Sequence, residues 1–276
     1  MSPRDVLVTG AGRGLGAATT SRLVAAGWRV FAADLEPPAP ADGVVPVRLD
    51  VTAQASVDAA LATVSDETSG LGAVVHFAGL LRVGSVAEVP TEMVARVLDV
   101  NVLGVHRVTR AFLPLLEKDR GRVVVISSET GVQTAAPFNG VYAMSKHALE
   151  AYADALRREL VHVGIPVVKV QPGPFRTQLV SDSVAQSDAA ARESERFSDA
   201  LRGFARHMPR ELAKAHDPAL LAEVVLAALT EERPKPAYLV HPDRTRMLLE
   251  RLPVRAADKA FALAVRAMAR RGRKAR

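Results

Sequence analysis

The chain has 276 residues, enough for one domain with a substantial buried core. It has no cysteine, which excludes disulfides, thiol catalysis and thiolate metal sites. Its formal net charge of +6 is uneven: residues 244–276 hold 11 Lys and Arg against 2 Asp and Glu, a net of +9, leaving residues 1–243 at −3.

The basic character therefore belongs to the tail. No recognition motif accompanies it, so nucleic acid is not expected as a partner. No apolar stretch is long enough to span a bilayer. The chain opens almost directly into its first strand, without a signal peptide, so a cytoplasmic location is the default expectation. The seven histidines show no pair at metal-binding spacing, and no metal site is expected.

In chain order, the apolar run from Asp5 to Thr9 predicts a first strand. Thr9-Gly10-Ala11-Gly12-Arg13-Gly14-Leu15-Gly16 follows, and Leu15 to Ala26 predicts a helix. A strand, a glycine turn and a helix make a site for a pyrophosphate. Glycines let the backbone turn tightly and approach a ligand, and the helix N-terminus offers free N–H groups and a positive dipole end. The spacing is TGxxxGxG, not GxGxxG, and glycine turns also occur without ligands. The next strand, Arg29 to Ala33, ends at Asp34, followed by Leu35. A carboxylate there suits adenosine ribose hydroxyls and repels a 2′-phosphate, which argues for NAD over NADP. Arg13 argues the other way, unless it is simply a solvated loop cation.

Further strand-like runs are Val44 to Leu49, Ala73 to Phe77, Arg122 to Ser127, Ile165 to Gln171 and Ala237 to Val240. They alternate with helical segments, which predicts an α/β fold: a doubly wound parallel sheet of Rossmann type. Several are almost continuous Val, Ile and Leu, as expected of strands covered on both faces. Glu36 to Gly43, with its prolines, reads as a loop.

Val141 to Val163 predicts a long helix. Tyr142 and Lys146 are four residues apart and share a face of it. A free phenol is a poor base near neutrality, with a pKa of about 10. A nearby ammonium lowers that value, so the pair suits proton transfer to or from an alcohol or ketone oxygen. By itself, a Tyr and a Lys at this spacing also describes an ordinary solvated helix.

The pieces together are more specific. The chain resembles the classical short-chain dehydrogenases/reductases over roughly residues 5 to 180. The matching segments come in the family's order: TGAGRGLG at 9–16, Asp34, LDVT at 49–52, HFAG at 76–79, VNVLG at 100–104, VVVISS at 123–128, YAMSK at 142–146 and QPGPFRT at 171–177. The resemblance implies that Tyr142 is the general acid/base. Lys146 would bind the nicotinamide ribose and lower the phenol pKa, and Ser128 would bond the substrate oxygen. Asn101 would hold a helix irregularity and a water leading from Lys146. Asp50 and Val51 would contact adenine, and Pro172, Gly173 and Thr177 would frame the nicotinamide. Gly10, Gly12, Arg13, Gly14, Leu15, Gly16, Asp34, Leu35, Phe77, Ala78, Gly79, Val100 and Phe175 complete the expected cofactor set. Ser128 is preferred over Ser127 because it opens the pattern Ser128-Glu129-Thr130-Gly131. The family usually has two asparagines where this chain has His76 and Phe77, so the support of the central strand must differ. The Ser128 to Tyr142 spacing is also about one residue longer than the commonest pattern.

After Thr177, Leu179 to Ala191 is polar and poor in periodicity and is expected to be a mobile part of a substrate lid spanning about 178–216. Phe197, Leu201, Phe204 and Met208 follow at helical spacing, either closing an apolar pocket or packing the helix onto the core. The run from Phe138 to Leu160, with YLVHPD at 238–243, is most similar to the retinol and hydroxysteroid branch, which implies a lipophilic alcohol or the matching carbonyl. Residues 1–243 are read as the catalytic domain and 244–276 as a basic extension. In that extension Phe261, Val265 and Met268 share one helical face, and Lys259, Arg266, Arg270 and Arg273 lie near the opposite one, with Leu263 breaking the pattern. Such a helix packs on its own domain, lies on a membrane surface or meets a partner.

The leading expectation is an NAD(H)-dependent enzyme that interconverts a lipophilic small-molecule alcohol and its carbonyl. NADP(H) with the same chemistry is the first alternative, and a non-catalytic nicotinamide-binding regulator is the second. The resemblance also implies a homodimer or homotetramer formed by the helices at 91–117 and 141–163.

Overall fold

A computed structural model describes residues 4–273, with the side chains of 179–181, 210–212 and 244 excepted. The elements run β1 (Arg4–Thr9), α1 (Gly14–Ala25), β2 (Trp28–Asp34), β3 (Val44–Arg48), α2 (Gln54–Glu67), β4 (Ala73–His76), α3 (Thr91–Leu98), a π-helical turn (Asp99–Leu103) and α4 (Gly104–Asp119). They continue β5 (Arg122–Ile126), α5 (Gly140–Leu160), β6 (Val167–Pro172), α6 (Gln178–Glu193), α7 (Ser198–Leu212), α8 (Pro218–Thr230), β7 (Ala237–Val240), α9 (Arg244–Leu249) and α10 (Val254–Arg273).

The seven strands form one sheet in the order β3-β2-β1-β4-β5-β6-β7. Every pairing between them is parallel. This is the expected doubly wound sheet, and the seven predicted strands are found with ends shifted by a residue or two. Strand side chains alternate between faces. Leu7 therefore enters one core with Phe31, Phe112 and Leu149. Val6 and Val8 enter the other with Leu23, Leu221 and Val225. With both faces covered, the central strands tolerate only apolar residues, which is why β4 and β5 read as valine runs.

The strand order reverses between β1 and β4. Loops leaving these two strands diverge to opposite faces, and a crevice opens at their C-terminal ends, where open α/β sheets bind ligands.

At the end of β4, His76 is 2% exposed. Its Nε2 lies 3.0 Å from the Thr109 hydroxyl of α4. A ring–hydroxyl bond thus stands where an asparagine was expected, and Phe77 packs against the second core.

The segment 179–191, poor in hydrophobic periodicity, nonetheless lies within a helix, α6. Its buried stripe is made of small residues: Ser183, Ser187, Ala190 and Ala191 are all at most 5% exposed. Ser187 donates to the Ser183 carbonyl at 2.6 Å, so its hydroxyl is satisfied inside the helix. A stripe of serine and alanine carries little hydrophobic signal, yet it lets a helix approach closely. Ala190 and Ala191 join Leu201 of α7 and Phe138 in a third core, against which Val265 of α10 packs. The tail helix therefore rests on α7, the first of the arrangements its sequence allowed. Gly203 and Gly272 make the approach close: a Cβ on Gly203 would overlap the Met268 backbone, and one on Gly272 the Asp199 backbone.

Burial pushes the His76 imidazole pKa down from 6.5 to about 3. An unfolded histidine takes up its proton near 6.5, whereas the folded one resists until about 3. The stability from neutral His76 is complete above the first value and lost as pH falls toward the second, by up to about 1.4 kcal/mol per pH unit. Urea midpoints measured across this range should fall with acid, and a His76→Gln protein should show the shallower slope.

Candidate active site

The crevice at the β1–β4 reversal is a cleft of about 350 Å³. Its floor is the glycine turn after β1. Gly10 has φ +70, and a Cβ there would sit 2.6 Å from the Ala78 amide nitrogen. A Cβ on Gly16 would overlap the Gly10 carbonyl, so both positions exclude side chains. Gly10, Arg13, Gly14, Leu15 and Gly16 line the cleft. Helix α1 begins there, with Arg13 as an N-cap that makes no side-chain bond. Its first N–H groups are left to a ligand.

Gly12 plays another part. Its N–H donates to Asp34 Oδ2 at 2.9 Å. Asp34 Oδ1 accepts from the Glu36 N–H at 3.3 Å. The carboxylate is thereby fixed at the end of β2, facing the cleft beside Leu35. Asp50 and Val51 line the same end. Asp50 Oδ1 accepts from Thr52 Oγ1 at 2.6 Å, and the Thr52 bonds hold its pKa below the usual carboxylate range. Phe77, Ala78, Gly79 and Val100 form the wall after β4, and Pro172 and Thr177 close the far side.

Asn101 is fully buried in the π-helical turn, as the expected helix irregularity. Its Oδ1 accepts from the Leu80 N–H at 2.7 Å, and its Nδ2 donates to the Leu80 carbonyl and to Ser145 Oγ, each at 2.9 Å. Ser145 in turn donates to the Tyr142 carbonyl at 2.7 Å. Asn101 therefore supports the wall and the start of α5 without lining the cleft. Helix α5 is further clamped to β6, where Lys169 Nζ meets Glu150 Oε2 at 2.8 Å.

Tyr142 and Lys146 both line the cleft. Lys146 Nζ donates to the Ile126 carbonyl at 2.9 Å and lies 5.6 Å from the centre of the Tyr142 ring. Burial pushes the Tyr142 phenol up to about 12, with the Ser128 hydroxyl opposing and the Glu129 charge adding to the rise. Burial brings the Lys146 ammonium down to about 8, opposed by the charge of Glu150. The lowering of the phenol pKa by Lys146 is thus not seen in the protein alone. The ammonium bonds a main-chain carbonyl and stands over the ring, so desolvation outweighs it.

Ser128 faces the phenol, and its Oγ also accepts from Thr130 Oγ1 at 3.0 Å. Ser127 also borders the cleft, with its hydroxyl buried against Gly131. Successive residues of a strand end point to opposite sides, so the two serines do not face the phenol together.

Two expected cofactor contacts lie elsewhere. Phe175 is 2% exposed and its ring packs with His216 and His241, outside the cleft. Gly173 abuts the His241 backbone and donates to the Val240 carbonyl at 2.9 Å, a close crossing of β6 and β7 ends. Conversely Leu80, Arg96, Ile126 and Gln178 line the cleft without having been singled out. Arg96 donates to Thr52 Oγ1 at 3.0 Å. Helical spacing from Val100 would have found it, since four residues separate them.

The geometry fits a dinucleotide: a side-chain-free cradle under a free helix N-terminus, with a fixed carboxylate at one end and a phenol at the other. The comparisons agree. The family model described as short chain dehydrogenase matches residues 4–188. The chain belongs to the short chain dehydrogenase family. It is 38% identical over 190 residues to human retinol dehydrogenase 16, covering 64% of this chain and 58% of that protein. It is also 38% identical over 191 residues to human 17-beta-hydroxysteroid dehydrogenase type 6, covering 66% of this chain and 60% of that protein. The chain thus spans about three fifths of these relatives' length. Among solved structures, a short-chain dehydrogenase from Streptomyces avermitilis aligns with a TM-score of 0.75 at 28% identity, covering 97% of this chain and 98% of that one.

Glu129 was not foreseen as part of the site. It is 7% exposed, and its Oε2 accepts from the Asp243 N–H at 2.7 Å. Burial raises its own pKa, and its charge raises that of Tyr142. A Glu129→Gln protein keeps an acceptor for Asp243 and loses the charge. Its Tyr142 phenol should ionise at lower pH than in the parent, read as the ultraviolet difference between each protein and its Tyr142→Phe counterpart.

Proposed function

We propose that this protein is an NAD(H)-dependent oxidoreductase that interconverts a lipophilic alcohol and its carbonyl. The observation that carries the reading is the placement of the Tyr142 phenol, with Ser128 facing it and Lys146 behind it, at the end of a cleft whose other end is a pyrophosphate cradle. The nicotinamide cofactor would supply the hydride acceptor or donor. The cofactor would be held by Gly10, Gly14 and Gly16 beneath it, Asp34 at its ribose, Asp50 and Val51 at its base, and Thr177 at the opposite end.

The protein's own residues then deal with one oxygen and one proton. Ser128 and Tyr142 hold two hydroxyls within hydrogen-bonding reach of each other, where a substrate oxygen would be bound. Donors placed in advance where alkoxide charge develops stabilise the transition state more than the ground state. In carbonyl reduction the phenol gives its proton to the oxygen, a step its high pKa leaves it stocked for at neutral pH. In alcohol oxidation the phenolate must form first. The Lys146 ammonium, charged below about 8, is the cation within reach that favours it. Asn101 keeps α5 and the Leu80 wall in register so that these hydroxyls stay aligned.

The choice of NAD is supported by Asp34, whose carboxylate stands at the end of β2 with both oxygens hydrogen-bonded. Arg13, exposed in the same cleft, supports the NADP alternative. A lipophilic substrate is supported by the third core. Phe138, with φ +68, packs edge-on against Phe197 and Phe204 four residues before Tyr142, so α6 and α7 close over this end as an apolar lid. The retinol and hydroxysteroid dehydrogenases named above support the same substrate class. Self-association is supported by apolar side chains left exposed on the outer helices, Leu103 at 48% and Met144 at 44%.

Two measurements test this reading. Calorimetric titration should show NADH bound at least tenfold tighter than NADPH, about 1.4 kcal/mol; the reverse order would assign the selector to Arg13. A Tyr142→Phe protein should bind the preferred cofactor like the parent and turn over a steroid or long-chain alcohol at least about 100-fold more slowly. Full activity in that variant would remove Tyr142 from the chemistry.

A further inference from the structure

Helix α10 has two faces of different character. Val265, Met268 and Gly272 are at least partly buried, on the side that packs against α7. On the other side Arg255, Lys259, Arg266, Arg270 and Arg273 are all exposed. At about 100° per residue these five positions fall within one quarter of the helix circumference. The only carboxylate of α10, Asp258, lies outside that arc. None of the five cations makes an ion pair or side-chain hydrogen bond among the described residues. Some arginines elsewhere are paired: Arg22 meets Glu223 at 2.6 Å, Arg107 meets Asp99 at 2.8 Å and Arg82 meets Glu193 at 2.9 Å.

Exposed apolar side chains lie beside this row. Leu263, at the edge of the basic stripe, is 63% exposed. At the junction of α9 and α10, Leu248 at the end of α9 is 63% exposed and Leu252 in the turn 42%. Arg251 stands exposed among them. A scattered exposed leucine needs no explanation. An apolar knuckle leading into a row of unpaired cations does, because each feature costs solubility or self-repulsion unless something covers it.

We propose that this face is a docking surface for an anionic lipid bilayer. The cations of α10 lie against lipid phosphates, and Leu248, Leu252 and Leu263 enter the interfacial layer. Charge complementarity and the apolar knuckle both select this occupant. A nucleic acid backbone would use the cations and leave the three apolar side chains in water. A second copy of the same face would set five cations against five. Because α10 rests on α7, and α7 packs on Phe138, docking would hold the helices over the Tyr142 end of the cleft next to the membrane surface.

The test is co-sedimentation of the full-length protein with vesicles of phosphatidylcholine alone and of phosphatidylcholine mixed with phosphatidylglycerol. Binding is expected only to the mixed vesicles and should fall as salt is raised. Replacing Lys259, Arg266 and Arg270 together by glutamine should weaken it by roughly fivefold per cation. A Leu248→Ser, Leu252→Ser protein should bind more weakly while keeping its salt dependence. All five positions are exposed, and an unchanged circular dichroism spectrum and NADH affinity would confirm that the variants fold. Equal binding to both vesicle types, no binding, or an unchanged triple variant would overturn the proposal. So would sedimentation without vesicles, which would mean self-association, or equal competition by duplex DNA, which would mean a general phosphate contact.

Discussion

The side chain of Asn101 makes three hydrogen bonds, two to the main chain of Leu80 and one to Ser145. It is fully buried, so each lost bond would leave a desolvated polar group with no water to replace its partner. That constraint propagates. To present its amide at this point, the chain between α3 and α4 takes an extra residue per turn and becomes π-helical. The Leu80 segment is then fixed as the cleft wall, and Ser145 fixes the first turn of α5, from which Tyr142 and Lys146 project. The wall and the two residues of the proposed chemistry are tied by one amide, and a rotation of any of the three elements would break it.

The second constraint is electrostatic. The site end of α5 is buried enough to push a phenol up and an ammonium down, to about 12 and about 8. Both groups are thereby held closer to their neutral forms, and a modest nearby charge moves them far. Glu129 is one such charge. Through Asp243 its carboxylate is bonded to the chain at the start of α9, and Thr134 nearby donates to Glu250 at 2.7 Å. The beginning of the basic segment is therefore bolted to the loop that carries Ser128. Further along, α10 packs on α7, and α7 packs on Phe138, four residues before Tyr142.

Much of the fold was legible because its rules are local. Valine runs bounded by turns predict strands, glycines before a helix predict a tight turn, and Tyr142 and Lys146 share a face by spacing alone. Other features depend on contacts that no spacing reports. Ser183, Ser187, Ala190 and Ala191 look like a polar loop until α7 approaches them. Phe175 sits beside the residues expected to frame the nicotinamide, yet it points into the core because His216 and His241 meet it there. Glu129 looks like a surface acid between Ser128 and Thr130, yet it is buried and takes a hydrogen bond from Asp243 at the start of α9, 114 residues later.

The sequence by itself determined the doubly wound parallel sheet, the glycine turn with Asp34 downstream, and the family, because each follows from residue type at short range. The tertiary structure alone decided how burial shifts the Tyr142 and Lys146 pKa values, and which face of the basic tail is left open. Those depend on desolvation and on side-chain contacts between segments far apart in the chain, quantities that exist only once the chain has closed on itself.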